Sequence, residues 1–226
     1  MNNKSDQTIV FAHGLGANKG NFLEYAKIFY NLGYNVFIFD FRGHGNSGGH
    51  TISFGYNEKN DILGASEYLK KYYPTKTKKL FGVGYSMGAA SIIFAQSDYK
   101  IFDKIIIDSS YAYSSNMIDS LYKYLPNYYR IYLKNISDVI TQYNIGVAIS
   151  NINPADKIES IDVPILLFHG KKDSIIPYNE SILLKEKIIL KNKENKLYLF
   201  NNSDHVSGII DEYDIYLDKV INFLKK

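Results

Sequence analysis

Gly84-Tyr85-Ser86-Met87-Gly88 follows the apolar run Lys78-Lys79-Leu80-Phe81-Gly82-Val83 and leads straight into the small residues Ala89-Ala90-Ser91. A serine framed by glycines where a strand passes directly into a helix predicts a tight turn, because a Cβ at either glycine would collide with the neighbouring strand and helix. The turn points the Ser86 hydroxyl outward. It also sets Ser86 at a helix N-terminus, where unpaired N–H groups favour the negative charge that develops during acyl transfer. A merely structural turn would meet the local pattern equally well, so the weight falls on what the rest of the chain supplies.

Short apolar runs alternate with longer helical segments on both sides of this turn. Strands are expected at Thr8 to Ala12, Asn35 to Asp40, Lys79 to Gly84, Lys104 to Asp108, Pro164 to His169 and Lys196 to Phe200. Helical periodicity marks Asn21 to Asn31, Glu58 to Tyr72, Met87 to Gln96, Asn179 to Leu190 and Glu212 to Leu224. This βαβ series predicts an α/β fold in which a mostly parallel sheet of about six strands is flanked by helices. In such sheets functional groups collect beyond the carboxyl ends of the strands, so the residues after each run should face one crevice. There is no internal repeat or low-complexity linker, and the whole of 1–226 reads as a single domain.

One stretch breaks the alternation. From Tyr111 to about Asn153 there is no strand signal, while Asn116 to Tyr124 and Tyr128 to Gln142 read as short helices separated by Pro126. The segment 111–153 carries eight of the 21 tyrosines and begins directly after a strand end. Its position predicts a Tyr-lined lid over the crevice, against the plainer reading of packed helices in a chain with a Tyr-rich coding bias.

The loop after the first strand, His13-Gly14-Leu15-Gly16, could present the backbone N–H of Leu15 beside that of Met87, which makes two donors for an oxyanion. His13 lies on that loop and reads as its brace rather than as a base. His44 and His50 fall in or just beyond the Gly-rich stretch Arg42-Gly43-His44-Gly45-Asn46-Ser47, and His169 ends the fifth strand, so all three read as structural. His205 instead follows the last strand in Asn201-Asn202-Ser203-Asp204-His205, on a loop that can bring its imidazole to Ser86. A serine hydroxyl is a poor nucleophile near neutral pH, so a neutral imidazole must take its proton and return it to the leaving group. Asp173, after the fifth strand, lies at the same rim and is the expected acid behind His205, with Asp108 after the fourth strand as the alternative. Asp204 is adjacent to His205 in sequence and poorly placed to reach Nδ1; Asp40 and Asp103 read as loop braces.

Composition removes other classes. With 26 basic and 23 acidic residues the net charge is +3 and the lysines are scattered, which speaks against a nucleic-acid partner. The absence of cysteine excludes disulfides, thiol catalysis and Cys-based metal sites, and fits a reducing cytoplasm. Met1-Asn2-Asn3-Lys4-Ser5-Asp6 lacks the apolar stretch of a signal peptide, and no apolar run approaches the roughly 20 residues of a membrane span.

Taken together, His13-Gly14-Leu15-Gly16, Asp40-Phe41-Arg42-Gly43-His44-Gly45-Asn46-Ser47, the Ser86 turn, Pro164 to Asp173 with Pro177 behind it, and Asp204-His205 resemble the α/β-hydrolase superfamily from first strand to last helix. The order Ser, Asp, His along the chain is that of this superfamily. Within it, the compact size and Asn153-Pro154-Ala155 leading to Val163-Pro164 are similar to small serine esterases, including cinnamoyl-ester hydrolases, and to acylglycerol lipase and thioesterase relatives. The resemblance implies hydrolysis of a small-molecule carboxylic ester or thioester through an acyl-enzyme on Ser86, with no metal and no cofactor. Two antiparallel strands usually precede the oxyanion loop in this superfamily, and they are missing from this sequence. An acyltransferase, a serine peptidase of the prolyl-oligopeptidase type and a non-catalytic binding protein remain as alternatives, as does the oligomeric state.

Overall fold

The computed structural model describes residues 5–188 and 194–225. The chain runs β1 (Gln7–Ala12), α1 (Leu23–Asn31), β2 (Asn35–Ile38), α2 (Glu58–Tyr72), β3 (Lys79–Tyr85), α3 (Met87–Tyr99), β4 (Lys104–Asp108), α4 (Ser114–Leu121), α5 (Asn127–Ile145), α6 (Ala155–Ile158), β5 (Ile165–Gly170), α7 (Asn179–Ile188), β6 (Lys196–Phe200), α8 (Gly208–Asp211) and α9 (Tyr213–Leu224). The six strands form one sheet in the order β2-β1-β3-β4-β5-β6, and each neighbouring pair is parallel. The expected α/β sheet is the one observed. The two antiparallel strands usual ahead of the oxyanion loop are not among the described elements, and β2 is the sheet edge.

Strands buried on both faces need apolar residues at every position, which is why Ile9-Val10-Phe11, Ile105-Ile106-Ile107 and Ile165-Leu166-Leu167-Phe168 are continuous runs. Successive side chains enter opposite layers. Val10, Leu80, Ile105, Ile107, Ile165 and Leu167 pack with Ile62 and Leu69 of α2, Ile92 and Ile93 of α3 and Leu184 of α7. Ile9, Phe11, Phe81, Val83, Ile106 and Phe168 pack on the other side with Phe29 of α1 and with Tyr216, Val220 and Phe223 of α9. Helix α3 is buried at every position from Met87 to Gln96. Only a helix apolar or small all round can sit there.

Several boundaries differ from the sequence expectation for local reasons. β2 stops at Ile38 rather than Asp40, because the Asp40 carboxylate takes the backbone N–H groups of Lys19 and Asn46 and draws the chain out of the ladder. The first helix is a 3₁₀ turn over Lys19–Phe22, capped by the Asn18 side chain, followed by α1. The helix expected from Glu212 is preceded by a separate turn, α8, and α6 carried no periodicity long enough to be read. The last two positions of the helix expected at Asn179 to Leu190, and residues 1–4 of the polar N-terminus, lie outside the described residues. Among the described residues no helix is long and apolar enough to cross a membrane.

Candidate active site

Ser86 sits between β3 and α3 with φ +55° and ψ −120°, a conformation that costs a non-glycine residue about 1–3 kcal/mol and persists only where surroundings impose it. Its surroundings do so. A Cβ on Gly88 would lie 2.1 Å from the carbonyl oxygen of Ala12, and one on Gly84 would lie 2.6 Å from that of Gly88, so helix, strand and β1 meet in backbone contact. The Ser86 N–H donates to the Asp108 carbonyl at 2.9 Å. The residue is partly exposed on the wall of a cavity of about 190 Å³, whose lining also includes Leu15, Met87 and His205. Phe54, Tyr111, Met117, Leu121, Ile175 and Ile176 complete it.

His205 and Asp173 meet at the same rim. The Nδ1 of His205 is 2.7 Å from Asp173 Oδ2, while Asp173 Oδ1 accepts the backbone N–H groups of Ile175 and Ile176 at 2.9 and 2.7 Å. His169 is fully buried behind them, with Nε2 3.0 Å from the same Oδ2 and 2.9 Å from the Ile176 carbonyl, and Nδ1 against the Ser181 hydroxyl. Burial alone would raise the Asp173 pKa, but the contacts from His169 and His205, the charge on His205 and the Ile176 N–H outweigh it and hold the carboxyl well below the usual range. The carboxylate is therefore ionised at neutral pH. Asp204, read as loop structure, accepts from the Ser174 N–H and hydroxyl and from the His205 N–H.

The loop from His13 to Gly16 is braced by both early histidines. Burial lowers the His13 pKa; its Nε2 accepts the Phe41 N–H at 3.0 Å and its Nδ1 donates to the Gly14 carbonyl. His44 accepts the Gly16 N–H at Nε2 and donates from Nδ1 to the Arg42 carbonyl. The loop also lies against the elbow: a Cβ on Gly14 would be 3.2 Å from that of Ser86. Lys19 pairs with Asp40, whose pKa falls to about 2 because that pair and two backbone N–H groups outweigh its burial. Asp103 accepts the Leu80 N–H, and His50 is exposed.

Asp108, the alternative acid, points elsewhere. It is fully buried, its Oδ1 accepts the Ser109 hydroxyl at 3.0 Å, and burial pushes its pKa up to about 6. Ser109 Oγ in turn accepts the backbone N–H of Val206, the residue after His205. Sequence reasoning missed this clasp, because Asp108-Ser109-Ser110 carries no pattern beyond a strand end. It also missed two buried carboxylates that shape the cavity. Glu58 accepts the N–H and hydroxyl of Ser53 and the N–H of Gly55, fixing the turn that carries Phe54 at φ +54°. Glu180 accepts the N–H groups of Ala112 and Tyr113 and the amide of Asn116 where the chain enters α4. Glutamates in the first turn of amphipathic helices look like ordinary N-terminal charges.

The tyrosines of the 111–153 segment do not line the cavity as expected. Of the eight, Tyr111 lines it, whereas Tyr124, Tyr128, Tyr129, Tyr132 and Tyr143 are exposed.

Residues 21–226 match the profile described as the prolyl oligopeptidase family. The chain is 32% identical to the uncharacterized protein YqkD of Bacillus subtilis, across 96% of this chain and 70% of that protein. It is similar to the solved esterase Pf2001 of Pyrococcus furiosus, with a TM-score of 0.80 and 29% identity over 99% of this chain and 84% of the other. A monoacylglycerol lipase from Paleococcus ferrophilus shares the fold, with a TM-score of 0.74 at 20% identity over 96% of this chain and 93% of that one.

Proposed function

We propose that this chain, which belongs to the prolyl oligopeptidase family, is a serine esterase of the α/β-hydrolase superfamily that works through Ser86, His205 and Asp173. The observation that carries the reading is the 2.7 Å contact from His205 Nδ1 to a buried, ionised Asp173 while the imidazole shares a cavity wall with Ser86. Asp173 fixes the tautomer that leaves Nε2 free to accept the Ser86 proton. Ser86 Oγ then bonds to the ester carbonyl carbon, and the carbonyl electron pair moves onto oxygen beside the N–H groups of Leu15 and Met87. Collapse expels the alcohol, or the thiol of a thioester, with the proton from His205. Water activated by the same imidazole releases the acid. Each oxyanion donor in such a site is worth about 100- to 1000-fold in turnover.

The segment 111–153 is proposed as a cap over the cavity. Apolar walls and a volume of about 190 Å³ suit a short to medium acyl or an aromatic ester. A reducing cytoplasm is the compartment we favour for a chain without cysteine.

The experiment is hydrolysis of p-nitrophenyl esters from acetyl to palmitoyl by wild type, Ser86→Ala and His205→Ala. Turnover by wild type that both variants lose supports the reading, and the chain-length optimum sizes the pocket. Equal turnover by Ser86→Ala overturns it. The family match favours one second reading, cleavage of a peptide bond by the same residues; peptidyl p-nitroanilides turned over in preference to all esters would establish it.

A further inference from the structure

Helix α5 is turned inside out relative to an ordinary surface helix. Its polar side is tied to the body: Lys134 pairs with Asp119, Asp138 accepts the Ser150 N–H at 2.8 Å, and Thr141 accepts the Ile149 N–H at 2.7 Å. At 100° per residue those three side chains fall on one side, and Tyr128, Tyr132, Ile136, Val139, Ile140 and Tyr143 fall within a single arc on another. All six are exposed, Val139 by 70% and Tyr143 by 89%, and no residue of the helix is buried. The arc contains no charged residue.

We propose that this face is the interface with a second copy of the chain. At about 200 Å² per aromatic side chain, the exposed part of the face, with Tyr129 at its border, amounts to roughly 700 Å², close to the roughly 800 Å² per partner of a stable interface. A two-fold contact sets a surface against itself, so it is penalised by any charge it carries, and this surface carries none. Its flanks carry the neutral amides Asn135, Gln142 and Asn144, which suit a polar protein rim. A helix that lies on a lipid surface carries Lys and Arg there instead. Tyrosines, the residues that anchor protein interfaces, recur along its length of about 28 Å.

The face is continuous along the chain with the cavity mouth. Leu121, which lines the cavity and is half exposed, is followed by exposed Tyr124 and Leu125 before α5 begins. A second copy seated on α5 therefore covers the outer edge of the cavity. That consequence rests on the esterase reading; the dimer does not.

Sedimentation velocity from the low to the high micromolar range tests the interface, with activity on the best ester followed in parallel. The expected result is a concentration-dependent species of twice the 25.9 kDa chain mass. Tyr132→Glu with Val139→Glu, or Val139→Lys alone, weakens it at least about 100-fold with an unchanged far-UV spectrum. Tyr72→Glu, at an exposed aromatic on α2, leaves it intact. A wild type that stays monomeric throughout overturns the proposal, as does a dimer indifferent to the α5 variants, or a monomer whose α5 face binds neutral phosphatidylcholine vesicles. Loss of concentration-dependent activity without loss of the dimer would strike the cavity argument alone.

Discussion

Around the strand ends, His13, Glu58, Asp108, His169 and Glu180 are buried, and each has at least one polar atom held by a backbone group or a neighbouring side chain. Along α5 no residue is buried, and most of the apolar side chains face outward, with Ile145 at its end packed against the cluster around Met117 and Ile149. The rim is held by several contacts per residue, whereas α5 hangs on a few polar ties, among them those of Lys134, Asp138 and Thr141. Such a division is what the proposed function and interface call for, since rigid shells position reacting groups and weakly packed segments open at low cost.

The comparison breaks most sharply at the rim. Ser86→Ala should lower kcat/KM by about 10⁴-fold or more, and Asp173→Asn by about 10³- to 10⁴-fold, without loss of fold. Steady-state hydrolysis of the best p-nitrophenyl ester measures both. A tenfold effect from either would mean that the rim is not the reacting centre. Next in size is Gly88→Ala, which drives a methyl into the Ala12 carbonyl, so strand and helix must separate. We expect a loss of more than about 3 kcal/mol in urea unfolding.

Asp108 sharpens the contrast through pH. Its pKa is raised to about 6 by burial, so the native state holds that proton more tightly than the unfolded chain does. Its contribution to stability is complete below about pH 4 and is lost as pH rises to about 6, a total of at most about 3 kcal/mol. Asp173 has the opposite sign: its lowered pKa contributes stability above the ordinary carboxylate range that is lost as pH falls below it. Asp108→Asn should therefore flatten the decline in urea midpoint between about pH 4 and 6 and leave the acid limb in place. A decline of unchanged slope would assign it to another group. The smallest effect belongs to α5, where Val139→Ser should change monomer stability by less than about 0.5 kcal/mol. A larger loss would mean that α5 is packed, not hung.

How much of this was legible in the sequence follows the same division. The parallel sheet was readable because strands buried on both faces require uninterrupted apolar runs, as at Ile105-Ile106-Ile107. The placement of Ser86, Asp173 and His205 at one rim was readable because each follows a strand that delivers it to one edge. The clasp from Asp108 through Ser109 to Val206 was not, since it joins residues 97 positions apart through a hydroxyl and a backbone N–H that leave no mark on composition. Nor were the supporting roles of Glu58 and Glu180, whose partners are backbone groups. The tyrosines of α5 were legible as an enrichment, but a helical period gives the width of an apolar face and not the direction in which it points.

The account rests on Ser86 as an activated nucleophile, and a fluorophosphonate probe tests that most directly. Intact-protein mass spectrometry should show one adduct per chain, peptide mapping should locate it at Ser86, and Ser86→Ala should take up none, with His205→Ala labelled far more slowly. A wild-type chain that stays unlabelled at neutral pH, or one labelled at another residue while Ser86→Ala reacts equally, would contradict it.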